Sequence, residues 1–163
     1  MKMKFERNAG EQAPMMTNIL NIHNKAEAFY RTICDCKVTD HDGNPKGLSE
    51  GISELVQLLK GIQLKSSIVG LIGNGGSASV ASHSAIDLIN VVGIAALTFH
   101  EAAMITCQSN DYGYENSFSN SVRRFLKRDD CLIAISSSGQ STNIVNASKA
   151  ALNANAKLIT FSG

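Results

Sequence analysis

The chain has 163 residues, enough for one domain with a real core, and its 44% apolar and 18% charged composition excludes a disordered segment. Lys and Arg number 15 against 14 Asp and Glu, a net charge of +1, so no dedicated surface for nucleic acid is expected. No apolar run reaches the ~18 residues of a membrane-spanning helix, and the basic start MKMKFERNAGEQ lacks the apolar stretch of a secretory signal.

Residues 1–16 are expected to be a flexible N-terminus, and residues 17–163 a single domain. Ile19, Leu20, Ile22, Ala26, Phe29, Tyr30 and Ile33 recur at helical spacing from Thr17 to about Cys34. Asp42-Gly43 and Asn44-Pro45 then mark a loop. Ser49 is placed to cap a helix over about 50–62, without the acid that a capping box needs. An α/β core follows over 66–163. Ser67–Ile72 reads as a buried parallel strand ending in Gly-Asn-Gly-Gly-Ser. A small-residue helix (about 78–90), a strand (93–99), a short helix (101–109) and a turn at Asn110–Gly113 come next. A helix around Phe118–Leu126, a strand (131–135), a helix (142–153) and a strand (157–161) complete the pattern. Four strands alternating with helices imply a three-layer α/β domain with a doubly wound parallel sheet.

Cysteines occur at 34, 36, 107 and 131, and these four do not make a disulfide framework. The Cys34-x-Cys36 spacing is not the C-x-x-C of zinc or redox sites. Reduced thiols in a cytoplasmic protein are expected.

Ligands of doubly wound sheets bind beyond the carboxyl ends of the strands. Two strand ends are alike: Gly73-Asn74-Gly75-Gly76-Ser77 and Ser136-Ser137-Ser138-Gly139-Gln140-Ser141. Each puts small, hydroxylated residues at the start of a helix, where free N–H groups and the positive dipole end favour an anion. Neither loop holds Lys or Arg, and no Gly-Lys-Ser/Thr follows the first strand. A singly phosphorylated small molecule held by neutral donors fits better than a triphosphate. Ser and Gly are also ordinary cap and turn residues. Gly73, Gly75 and Ala78 satisfy the loose G-x-G-x-x-A dinucleotide pattern, with Glu101 near the ~20-residue offset of a ribose-binding acid. That pattern leaves the second serine loop unexplained. His83 and Asp87, at i and i+4, share a helix face. They read as a metal pair, as a carboxylate base oriented by histidine, or as a solvated surface pair.

Three ordered motifs together resemble the SIS (sugar isomerase) domain, and within it the phosphoheptose isomerase branch. They are Leu71–Ala78, Asn110-Asp111-Tyr112-Gly113-Tyr114-Glu115 and Ile135–Asn143. The resemblance runs from about residue 17 to the end. It implies a flavodoxin-like sheet of five parallel strands, a homotetramer, and interconversion of sedoheptulose 7-phosphate and glycero-manno-heptose 7-phosphate. It implies substrate binding by Asn74, Gly75, Gly76, Ser77, Asn110, Asp111, Ser136, Ser137, Ser138 and Ser141. It implies zinc on His83 and Asp87, with Asp87 also the catalytic acid–base.

Four departures from the family pattern stand out. Asp87 replaces the family's glutamate, and a carboxylate misplaced by about an ångström can cost ~100-fold in rate. Glu101 stands where aspartate is usual, and Ser137 stands where threonine is commoner. The chain also stops at Gly163, before the family's fifth strand and a C-terminal helix with a further metal-binding glutamine and a catalytic histidine. An incomplete sheet of that kind is expected to oligomerise or to be poorly soluble. A non-catalytic member of the same fold, binding a sugar phosphate or a protein partner, is the alternative expectation.

Overall fold

The computed structural model describes residues 13–163, with side chains from residue 21 onward. The expected flexible start lies outside the described residues up to residue 12, and Ala13 is already helical. The chain divides into two compact units, the first ending at Ser53 and the second spanning Glu54–Gly163.

The first unit holds α1 (Ala13–Cys34) and the pair β1 (Val38–Thr39) and β2 (Pro45–Lys46), antiparallel with Val38 opposite Lys46. The expected loop is therefore a short hairpin. The Asp40 carboxylate organises it by accepting the N–H groups of Asp42 and Asn44, each at 2.9 Å, while Gly43 supplies φ 85°. Helix α2 (Leu48–Leu64) begins one residue before Ser49 and continues into the second unit. Ser49 therefore does not cap it, and its carbonyl accepts the Ser53 hydroxyl at 2.8 Å.

The second unit is a doubly wound α/β domain. Its elements are β3 (Ile68–Gly73), α3 (Gly76–Asp87), β4 (Ala95–Thr98), α4 (Ala102–Tyr112), α5 (Ser119–Phe125), β5 (Cys131–Ser136), α6 (Thr142–Asn153) and β6 (Lys157–Ser162). The four strands are parallel in the order β4-β3-β5-β6. Counted within the sheet this is 2-1-3-4, the flavodoxin-type order.

Strands β3 and β5 read as continuous apolar runs because both of their faces are covered. Val69, Leu71, Cys131 and Ile133 pack on one face with Ile62, Ala81, Ala85 and Leu88. Ile72, Leu132 and Ala134 pack on the other with Phe99, Phe118, Val122, Ile144 and Ala147. Burial pushes the Cys131 thiol up to about 12, so it behaves as a small core residue. The Asp130 carboxylate, 2% exposed, accepts the N–H groups of Ile68 at 3.0 Å and Lys127 at 2.9 Å. It thereby joins the start of β3 to the turn before β5.

Two expectations need correction. Helix α3 stops at Asp87, and a π-helical turn over Leu88–Val92 continues it to Gly93 at φ 73°. Asn110, Asp111 and Tyr112 are the last residues of α4 and do not form a turn; the break comes at Gly113, at φ 81°, before a 3₁₀ turn over Tyr114–Asn116. Asn and Asp favour turns, but the left-handed backbone needed to leave a helix falls to glycine.

Candidate functional site

A doubly wound sheet opens a crevice where its strand order reverses. Here that point lies between β3 and β5, whose C-terminal ends pair Ile72 with Ala134 and Gly73 with Ile135. A cleft of about 320 Å³ is lined by Asn74, Tyr114, Glu115, Ser141, Thr142 and Asn143. Of the residues expected in the site, Asn74 and Ser141 line this cleft together.

The loop after β3 is internally closed. Gly73 is buried, and a Cβ there would meet the Ser77 carbonyl carbon and oxygen at 2.6 Å, so only glycine lets α3 start this close to the strand. The Gly73 N–H donates to His100 Nε2 at 3.1 Å. Burial holds the His100 pKa below its ordinary value, in keeping with a ring nitrogen that accepts a hydrogen bond. His100 also packs edge-on against Phe118, with ring centroids 5.7 Å apart, so it is a structural histidine of the strand end. The N–H groups of Ser77 and Ala78 turn back to the Asn74 and Gly75 carbonyls, each at 3.0 Å. Gly75 and Gly76 are exposed and Ser77 half-buried; none of the three lines the cleft.

The loop after β5 is open. The Gly139 N–H donates to the Ser136 carbonyl at 3.1 Å, with Gly139 at φ 65°. Ser138 Oγ accepts the Gln140 N–H at 3.2 Å. Ser136 is buried, whereas Ser137 and Ser138 are exposed. Ser141 occupies the N-cap of α6, yet its side chain makes no capping hydrogen bond. Its hydroxyl is therefore not spent on the start of this 12-residue helix, where the positive end of the helix dipole lies.

The two loops are tied by carboxamides. Asn74 Nδ2 donates to Asn143 Oδ1 at 2.9 Å, and Asn143 Nδ2 donates to Asn74 Oδ1 at 3.0 Å. The Tyr114 hydroxyl donates to Asn74 Oδ1 at 3.2 Å, and Asn143 Nδ2 also reaches Ser117 Oγ at 3.4 Å. Asn143, Tyr114 and Glu115 were not among the expected site residues. The available signal was their place inside the second and third motifs; no local pattern announces a contact across 69 residues.

The remaining expected residues lie elsewhere. Asn110 Nδ2 donates to Asp111 Oδ1 at 2.9 Å, and Cys107 Sγ approaches Asp111 Oδ2 at 3.5 Å. That carboxylate raises the Cys107 thiol above its ordinary pKa. Glu101 caps α4, accepting the Met104 N–H at 2.8 Å, and the backbone N–H groups of Ala103 and Met104 lower its pKa. Helix capping thus accounts for Glu101 without a ribose. His83 Nε2 and Asp87 Oδ2 are 3.6 Å apart on α3, exposed and outside the cleft lining. Two donors at that separation fit neighbouring corners of tetrahedral zinc, whose bonds run to about 2.0–2.2 Å. Among the described residues, the one His/Cys/Asp/Glu cluster of metal-binding size is Asp40-His41-Asp42 in the β1–β2 hairpin, so His83 and Asp87 lack a third such donor.

This architecture defines a class: a doubly wound α/β domain with a polar cleft and a helix N-terminus at the switch point of its sheet. The SIS domain profile matches residues 45–163, and the chain belongs to the SIS domain family. Phosphoheptose isomerase from Aliarcobacter butzleri is 40% identical over 101 residues, covering 57% of this chain and 52% of that protein. The Helicobacter pylori phosphoheptose isomerase is 33% identical over 124 residues, covering 72% and 65%. The chain thus spans about half the length of the first relative and under two thirds of the second. The solved phosphoheptose isomerase from Neisseria gonorrhoeae superimposes with a TM-score of 0.76 at 25% identity, covering 93% of this chain and 76% of that one. No helix among the described residues is long and apolar enough to cross a membrane.

Proposed function

We propose that this chain binds a phosphorylated sugar at the switch-point cleft and carries out aldose–ketose isomerisation of the phosphoheptose type, on sedoheptulose 7-phosphate. One observation carries the reading: the uncapped Ser141 hydroxyl and the α6 N-terminus share a cleft with Asn74, in a domain whose relatives are named phosphoheptose isomerases. The phosphate rests on Ser137, Ser138, Ser141 and the α6 N–H groups. Asn74 donates to an oxygen of the sugar chain; Gly75, Gly76, Ser77, Asn110 and Asp111, which lie outside the cleft lining, are substrate contacts by family resemblance alone.

In the reaction, a carboxylate removes the proton from the carbon beside the carbonyl. The electron pair left behind forms the enediol double bond as the carbonyl oxygen takes a proton. The carboxylate then returns its proton to the former carbonyl carbon, while the neighbouring hydroxyl gives up its own and becomes the new carbonyl. Asp87 is assigned this role by family resemblance, with His83 orienting it. His83 and Asp87 would also hold zinc, which when bound polarises a substrate oxygen. Exposed apolar side chains on α1, including Phe29 and Tyr30, support self-association, in the family's case to a homotetramer. Free exposed thiols at Cys34, Cys36 and Cys107 support a reducing, cytoplasmic setting.

A second reading, a non-catalytic SIS module that binds a sugar phosphate, is favoured by the position of His83 and Asp87 outside the cleft lining. Turnover of sedoheptulose 7-phosphate that is lost in Asp87→Ala selects the enzyme; binding without turnover selects the module. Both readings predict that Ser137→Asp, an exposed substitution, lowers affinity more than ~100-fold through like-charge repulsion, with little change in melting temperature. Calorimetric titration showing undiminished affinity in this variant would remove the phosphate from the β5–α6 loop.

A further inference from the structure

The carboxamide pair between the two loops has a defined polarity, and its origin is a backbone group. The Ile144 N–H, in the first turn of α6, donates to Asn143 Oδ1 at 3.0 Å. A backbone N–H can only donate, so the oxygen of Asn143 must face it, and the orientation of that amide is not a free choice. Asn143 Nδ2 is then compelled to point at Asn74, at 3.0 Å, and the atom it meets must be the Asn74 oxygen. The Tyr114 hydroxyl reaches the same oxygen at 3.2 Å. One Asn74 N–H is spent on Asn143 Oδ1 at 2.9 Å. Asn74 is left with its carbonyl oxygen doubly engaged and one N–H unused, on the wall of the cleft. Asn143 itself is 2% exposed.

We infer that Asn143 is a positioning residue: it locks the Asn74 carboxamide so that the cleft meets a hydrogen-bond donor there, which selects a ligand oxygen that accepts. The role rests on the sugar-phosphate reading only for the identity of that ligand. A freely rotating Asn74 would offer its oxygen as often as its nitrogen. Locked, it favours a carbonyl, hydroxyl or ether oxygen and disfavours a donor such as a sugar amine.

The experiment has a ligand-free arm and a binding arm. In the first, relaxation of the Asn74 side-chain amide is measured by NMR in the wild type and in Asn143→Asp. The aspartate keeps the shape and the acceptor for Ile144 but cannot donate to Asn74. The wild-type amide is expected to be rigid, with an order parameter of about 0.8, and the variant to fall below about 0.6. In the second, sedoheptulose 7-phosphate is titrated into the wild type, Asn143→Ser, Asn74→Ala and the double variant, because an aspartate on the cleft wall would itself repel the phosphate. Asn143→Ser, too short to donate to Asn74, is expected to weaken binding about tenfold, and to add nothing once Asn74 is alanine. Asn143→Ser also serves the first arm if the aspartate variant does not fold. A mobile Asn74 amide in the wild type overturns the inference. So does an Asn143 effect that persists undiminished in the Asn74→Ala background, since that is the mark of a merely structural residue. A rigid wild-type amide that Asn143→Asp releases, in a protein that takes up no sugar phosphate, retains the lock and fails the sugar-phosphate reading instead.

Discussion

The loops after β3 and β5 are near twins in sequence, small and hydroxylated with no positive charge, yet they do different work. The first spends its polar groups on itself. Gly73 is wedged beneath Ser77 and bonded to His100, and the N–H groups of Ser77 and Ala78 are turned inward. The second closes on itself through the Gly139 and Gln140 N–H groups, yet keeps an exposed Ser137 and a Ser141 hydroxyl that caps nothing. Serine and glycine at a helix start mark a place where backbone donors concentrate. Whether a ligand can use them depends on what else in the fold has already claimed them. Here the first loop is scaffold, holding Asn74 in place, and the second is where the proposed function puts the phosphate.

The largest expected effect tests the scaffold side. Gly73→Ala puts a methyl 2.6 Å from the Ser77 backbone, which cannot swing aside as a side chain could. It should cost about 3 kcal/mol and abolish ligand binding by displacing Asn74. Gly76→Ala meets nothing within 4 Å at an ordinary backbone angle, so urea denaturation should place it within ~0.5 kcal/mol of the wild type. Equal effects at the two glycines would break the distinction between a wedged and a free position.

Ser141→Ala tests the open loop. Removing an N-cap serine ordinarily costs about 1 kcal/mol. Because Ser141 makes no capping bond, its loss should leave stability within ~0.5 kcal/mol. Affinity for sedoheptulose 7-phosphate should nevertheless fall about tenfold. A destabilised variant with unchanged affinity would turn Ser141 back into an ordinary cap.

The sheet that carries the two loops is legible in the sequence, where the loops themselves look alike, because the strongest signals are local. Buried parallel strands must be apolar on both faces, so Val69–Ile72 and Cys131–Ile135 stand out in the sequence. The rule that ligands sit beyond strand ends then pointed to the two whole loops that contain Asn74 and Ser141, without separating these two from their neighbours. Three things escaped for physical reasons. The two-residue strands of the Val38–Lys46 hairpin are too short to show alternation. Asn110 and Asp111 look like a turn, but a helix held by its neighbours carries them to Gly113. Asn143 reads as one more polar residue at a helix start; only the pairing of β3 with β5 brings it to Asn74.

The smallest expected effect is a pH dependence confined to the closed loop. Burial lowers the folded-state pKa of His100 from 6.5, so below that pH the unfolded chain binds more protons than the folded one. Stability held by the neutral ring is complete above 6.5 and is lost as the pH falls through the depressed folded value. Protonating Nε2 also removes the acceptor of the Gly73 N–H, so the loss should concentrate where the first loop is fastened. His100→Gln can accept the same N–H without titrating. Melting curves from neutral pH down through 6.5 should therefore fall more steeply for the wild type than for this variant. Hydrogen exchange on the wild type should show the Gly73 amide opening before the Gly139 amide, which bonds to the Ser136 carbonyl and faces no histidine. Parallel melting curves, or simultaneous opening of the two amides, would mean that the loops are not separately fastened.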